Sequence, residues 1–88
     1  MYHQIDFTNG FIKQFKQLRE NQKTRFYERL ELFKKDPHDR VLRDHALKGK
    51  YTGYRSIDIE GDLRALYYIN GNRIVIPAFT GSHAQLYK

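Results

Sequence analysis

The chain has 88 residues, enough for one small domain spanning 1–88 with a modest core, and no cysteine, which excludes a disulfide framework and thiolate metal sites. Lysine and arginine number 16 against 10 acidic residues, for a net charge of +6, and tyrosine and phenylalanine number 7 and 6; this points to a polyanionic partner, nucleic acid first and an acidic protein second, against charge that serves solubility alone. No run of about 18 apolar residues offers a transmembrane helix, and "MYHQIDFTNG" lacks the basic and apolar regions of a signal peptide, so a cytoplasmic location is expected.

"YHQIDF" alternates, with His3, Ile5 and Phe7 on one side, and predicts a short strand. "TNG" is a turn or cap. Phe11, Phe15 and Leu18 then recur at helical spacing with Ile12 beside them, while Lys13, Gln14, Lys16 and Gln17 fill the other side. "ENQK" interrupts, and Asn21 is a candidate cap for a second helix. That helix carries Phe26, Leu30 and Phe33 as its apolar stripe, with Tyr27 and Leu32 flanking. Lys34 and Lys35 suit its C-terminus, and Asp36-Pro37 stops it. So short a break predicts a helical hairpin.

Residues 36–53, "DPHDRVLRDHALKGKYTG", show little periodicity and read as a long basic loop with a helical turn near Val41 to Asp44; loops of this length are often functional. "YRSIDIE" alternates, with Ile57 and Ile59 opposite Ser56, Asp58 and Glu60. "LRALYYI" is apolar on both faces and reads as a central strand. "NGN" at Asn70 to Asn72 signals a hairpin, because Asn-Gly accepts the positive φ angles of a tight turn. "RIVIPAF" is the last strand, and Pro77, which lacks an N–H, predicts an edge position or a bulge. The order is β-α-α-β-β-β. This is an α+β fold: an antiparallel meander with a helical hairpin on one face and an open face on which charges can stand.

The four histidines, His3, His38, His45 and His83, are not at metal-ligand spacing, and there is no nucleotide or hydrolase fingerprint, so neither a metal nor a cofactor is expected. What remains is "DHALKGKYTGYR", the polar strand face of Ser56, Asp58 and Glu60, Asp62 in a turn, and the terminal "GSHAQLY". The loop before a meander and the tail after it can meet at one sheet end. That would gather His45, Asp62 and His83 beside Lys48, Lys50, Arg55 and Arg64. Such a set suits metal-free RNA cleavage: one group takes the proton of a ribose 2′-OH, another protonates the leaving 5′-oxygen, and cations hold the phosphate. Histidine suits both proton roles, and Tyr87 would stack on a base. Each piece also has a plainer reading, as a surface histidine, a turn aspartate or a solvated loop.

The stretch from Asp44 to Lys88 resembles the C-terminal half of RelE-superfamily toxins, most closely the YafQ branch. The family pattern runs roughly His-Pro-Leu-Lys-Gly, Gly-Tyr-Arg, an aspartate opening a strand, Thr-Gly-[Thr/Ser]-His, then Leu-Phe. The matches are His45, Leu47, Lys48, Gly49, Gly53, Tyr54, Arg55, Asp62, Tyr67, Thr80, Gly81, Ser82, His83 and Leu86. The resemblance implies a RelE-like fold and a ribosome-dependent endoribonuclease that cuts mRNA in the cytoplasm and pairs with a cognate antitoxin. By position it implies catalytic roles for His83, as general acid, and for His45 and Asp62, with Tyr87 positioning the substrate. Asp58 stands where the branch usually has a histidine and remains a candidate base. Phe79 stands where an arginine is common, so the resemblance passes the phosphate role to Arg55 or Arg64. The alternatives are a ParE-like toxin that binds DNA gyrase without cleaving, and a degenerate toxin that only binds its antitoxin.

Overall fold

Thr8 starts the first helix as a cap: its Oγ1 accepts from the Phe11 N–H at 3.1 Å. In the computed structural model, which describes residues 4–81, β1 spans Gln4–Phe7, α1 Asn9–Lys16, α2 Glu20–Lys35, β2 His45–Ala46, β3 Arg55–Glu60, β4 Leu63–Asn70 and β5 Arg73–Thr80, with a 3₁₀ turn at Gly49–Tyr51. His3, His83, Leu86 and Tyr87 lie outside the described residues. The cap of α2 is Arg19 and not Asn21, because the Gln22 side chain accepts from the Arg19 N–H at 3.0 Å and fixes the start two residues earlier. Helix α2 ends at Lys35, where Asp36-Pro37 stops it. No helix among the described residues is long and apolar enough to cross a membrane.

The sheet runs β1-β5-β4-β3-β2. Strands β3, β4 and β5 form the expected meander, with β4 at its centre. Two additions make the sheet mixed rather than wholly antiparallel. β1 joins β5 in parallel, because the helices carry the chain across the sheet before the meander begins. Within the expected loop, His45–Ala46 pairs with Ser56 and Arg55 as a short edge strand. Pro77 sits in a central strand, so the edge alternative fails. The register instead shifts between Leu66↔Ala78 and Tyr68↔Val75, so that Ile76 and Pro77 together oppose Tyr67 in a bulge. Thr8 Oγ1 donates to the Pro77 carbonyl at 2.9 Å.

Both helices cover one face. Phe79 lies 4.5 Å from Phe11 and 5.3 Å from Phe26, centroid to centroid, and Phe33 meets Tyr67 at 5.1 Å. Phe26 is 1% exposed, and truncating such a ring costs about 3–5 kcal/mol, a large part of a small domain's stability. Beyond Ile76, β1 no longer pairs with β5. There the Gln14 side chain of α1 takes over: its Oε1 accepts from the Phe79 N–H at 2.8 Å and its Nε2 donates to the Phe79 carbonyl at 3.5 Å. That amide holds the end of β5 against α1.

Candidate active site

On the face away from the helices, register arranges side chains in rows across the strands. His45, Ser56, Leu66 and Ala78 form one row. Asp58, Arg64 and Thr80 form the next. Tyr54 and Tyr68 lie beyond the first row on its other side, with ring centroids 5.5 Å apart. Loop residues wall these rows. A cleft of about 430 Å³ results, lined by Arg43, His45, Leu47, Tyr51, Ser56, Arg64, Leu66 and Thr80.

Leu42 anchors the loop. It is fully buried, and its carbonyl accepts from the Asp58 N–H at 2.7 Å. The chain then turns through Arg43 at φ +48°, a left-handed conformation that is costly for a side chain with a Cβ and typical of functional sites. The turn brings His45 onto the edge of β3. The Arg43 carbonyl lies 2.7 Å from His45 Nδ1. A carbonyl only accepts, so the neutral ring carries its proton on Nδ1, and Nε2 keeps the lone pair. Leu47 closes the segment, its N–H donating to the Tyr54 carbonyl at 2.9 Å.

Asp58 is committed to two arginines. Its Oδ1 accepts from Arg64 Nε at 3.1 Å, and its Oδ2 lies 3.5 Å from Arg43 Nε. Its side chain is 18% exposed, whereas Arg64 is 40% and Arg43 74% exposed, so the carboxylate orients the guanidinium groups of two arginines that both line the cleft. Ser56 is 1% exposed, and its hydroxyl has no hydrogen-bond partner among the described residues. A buried unpaired hydroxyl is costly, and one in the floor of a basic cleft is the kind of group a bound anion or water satisfies.

Of the residues singled out in the sequence, His45, Asp58 and Arg64 share this face. Lys48 and Lys50 are exposed on the adjoining loop, and Lys50 Nζ lies 5.3 Å from the centroid of the Tyr51 ring. Two expectations fail. Arg55 is on the opposite face: its Nε donates to Asp44 Oδ1 at 2.9 Å and to the Tyr67 hydroxyl at 3.2 Å, because odd-numbered positions of β3 point toward the helices. Asp62 is in the β3–β4 turn, past Glu60; His45 is paired with Ser56, so roughly 13 Å or more of strand separates them.

Sequence reasoning passed over Asp44, whose Oδ2 accepts from the Tyr67 hydroxyl at 2.5 Å. This network pins the loop to the sheet one residue before His45. Burial, then the hydrogen bond to Asp44, pushes the Tyr67 phenol well above its usual range, and the Asp44 carboxylate likewise raises Arg55. The signal was present: Tyr67 shares the core side of a central strand with Leu63 and Ala65, and a phenol there requires a polar partner. A larger cleft of about 900 Å³ lies between β1 and the end of α2; among the described residues its lining holds only His38 and Lys34 as charged or titratable groups, with no carboxylate or second imidazole for paired proton transfer.

The sequence profile of a bacterial toxin of type II toxin–antitoxin systems, YafQ, matches residues 3–88. The chain belongs to the YafQ toxin family. Its fold is similar to that of YafQ from E. coli strain BL21(DE3), at 22% identity, 100% coverage of both chains and a TM-score of 0.75. It also resembles the structures of a YoeB–YefM complex from Staphylococcus aureus (21% identity, 94% of this chain and 99% of that one, TM-score 0.72) and of an archaeal RelE–RelB complex from Pyrococcus horikoshii OT3 (22%, 92% and 96%, 0.71). Among curated proteins, none matches. Phe79, where the YafQ resemblance leads to an expectation of arginine, is 1% exposed and packed in the core, which leaves Arg64 as the strand-borne cation of the cleft.

Proposed function

We propose that this YafQ-family toxin is an endoribonuclease that cuts mRNA on the ribosome and is neutralised by an acidic antitoxin. The observation that carries the reading is His45, with Nε2 available as an acceptor, in one cleft with Arg43 and Arg64. His45 Nε2 takes the proton from a ribose 2′-OH. The 2′-oxygen attacks the adjacent phosphorus, and the bond to the 5′-oxygen breaks. His83, two residues beyond Gly81 in the sequence, protonates the departing 5′-oxygen. Arg64 and Arg43 face the non-bridging oxygens, whose charge rises in the transition state, and Asp58 holds both guanidinium groups in place. No metal enters these steps. The Ser56 hydroxyl, without a hydrogen-bond partner among the described residues, supports an anion in the cleft. The complexes of the YoeB and RelE relatives support the antitoxin.

Growth is measured after induced expression of the wild type, His45→Ala and His83→Ala, with primer extension on a translated mRNA and analysis of the cut ends. The reading predicts arrest and new cuts by the wild type alone, leaving 5′-hydroxyl and 2′,3′-cyclic phosphate ends. Arrest by all three without cuts points to a toxin that acts by binding. Cuts that leave 5′-phosphates overturn the 2′-OH mechanism.

A further inference from the structure

Three tyrosines on the open face take no part in the proton transfers. Tyr54 meets Tyr68 edge to face at 5.5 Å and 80°, and Tyr51 meets Tyr54 at 6.4 Å and 88°. Tyr51, at the outer end of this chain of rings, is 41% exposed and also lines the cleft. A fold of this size gains by burying aromatic rings, and its buried phenylalanines are gathered on the helix-covered face. Here three rings instead brace one another on the face that neither helix covers, beside arginines and an imidazole. Lys50 rides on the Tyr51 ring at 5.3 Å, and its flexible stem allows it to leave that ring for a phosphate.

We propose that Tyr51, braced by Tyr54 and Tyr68, is a stacking site for one unpaired RNA base, the base on the 5′ side of the bond that is cut. Tyr51 lines the same cleft as His45, and register places the rings that brace it. The Tyr54–Tyr68 row is two residues along the strands from the row of His45 and Ser56, roughly 7 Å and about the reach of one nucleotide. Aromatic side chains beside a basic groove are the general means of holding single-stranded nucleic acid. The 5′ assignment rests on the nuclease reading. His45 takes the 2′-proton and so faces the upstream ribose, and the tyrosine row lies on the side of His45 away from Thr80, which precedes His83 by three residues in the sequence.

The test uses the full chain and a short fluorescein-labelled single-stranded RNA with 2′-O-methyl riboses, which cannot be cleaved by 2′-OH attack. Binding is therefore read whether or not the protein is a nuclease. Tyr51→Ala is expected to weaken binding about tenfold, the loss of one stacked base. Tyr51→Phe, which keeps the ring and loses the hydroxyl, is expected to bind as the wild type does. On a matched strand whose bases are replaced by abasic sites, Tyr51→Ala is expected to change nothing. Unchanged binding by Tyr51→Ala on the base-bearing strand overturns the proposal, as does an equal loss on the abasic strand or a wild type that binds neither. If base-dependent binding is found but the expression experiment shows no cuts, the stacking site stands and only its 5′ assignment falls with the nuclease.

Discussion

Tyr67→Phe removes a single oxygen from the network that holds the loop of His45. The hydroxyl is buried on a residue 4% exposed, donates to Asp44 Oδ2 at 2.5 Å and accepts from Arg55 Nε at 3.2 Å. A hydrogen bond to a charged group is worth roughly 1.5–3 kcal/mol, and Asp44 retains Arg55 at 2.9 Å, so a loss of about 2 kcal/mol is expected. At a urea dependence of about 2 kcal/mol per molar, the unfolding midpoint falls by about 1 M. The same substitution has a signature in pH. Burial and Asp44 raise the Tyr67 phenol, so the folded state keeps its proton where the unfolded chain, with an ordinary tyrosine pKa of about 10, releases it. Above about pH 10 the folded state binds the extra proton, and this residue's contribution to stability falls as pH rises, by about 1.4 kcal/mol per unit. The variant lacks that contribution. Urea melts from pH 8 to pH 11 on both proteins measure it, because every other titrating group is common to the two. Parallel pH dependences, or a midpoint shift below about 0.3 M at pH 8, would refute the reasoning.

Three further substitutions follow from the same geometry. Gln14→Ala strips both partners from the Phe79 backbone and is expected to cost about 1–3 kcal/mol in urea melts, with faster hydrogen exchange at the Phe79 amide than in the wild type. Ser56→Ala removes a buried hydroxyl with no partner among the described residues; it is expected to leave stability unchanged or raised by about 1 kcal/mol while slowing cleavage, and a loss of more than about 1 kcal/mol would mean that the hydroxyl is bonded in the folded protein. Arg64→Ala breaks a half-exposed ion pair worth under about 1 kcal/mol to stability, yet is expected to slow RNA cleavage about a hundredfold; Arg64→Lys recovers part of that rate because it restores the charge without the planar fork.

Local chemistry was enough for both helices and four of the five strands. Alternation gave β1 and β3, an apolar run gave β4, Phe26, Leu30 and Phe33 marked the buried side of α2, Asp36-Pro37 ended it, and Asn70-Gly71 closed the last hairpin; the short strand β2 falls where the sequence reads as loop. The missing N–H of Pro77 restricted it to an edge or a bulge, and the bulge is what formed. These are properties of a residue and its immediate neighbours. The motif around His45 and Thr80 likewise carried the family. Tertiary structure decided what depends on register and on facing: that β1 runs parallel to β5, that Arg55 turns to Asp44 and Tyr67 rather than to the cleft, and that Asp58 clamps two arginines. It also brought Tyr54 to Tyr68, fourteen positions later, and closed the loop's register on Ser56. A sheet has a side-chain period of two, so a shift of one residue moves every group to the other face. That choice is made by the whole core packing at once, and no single stretch of sequence contains it.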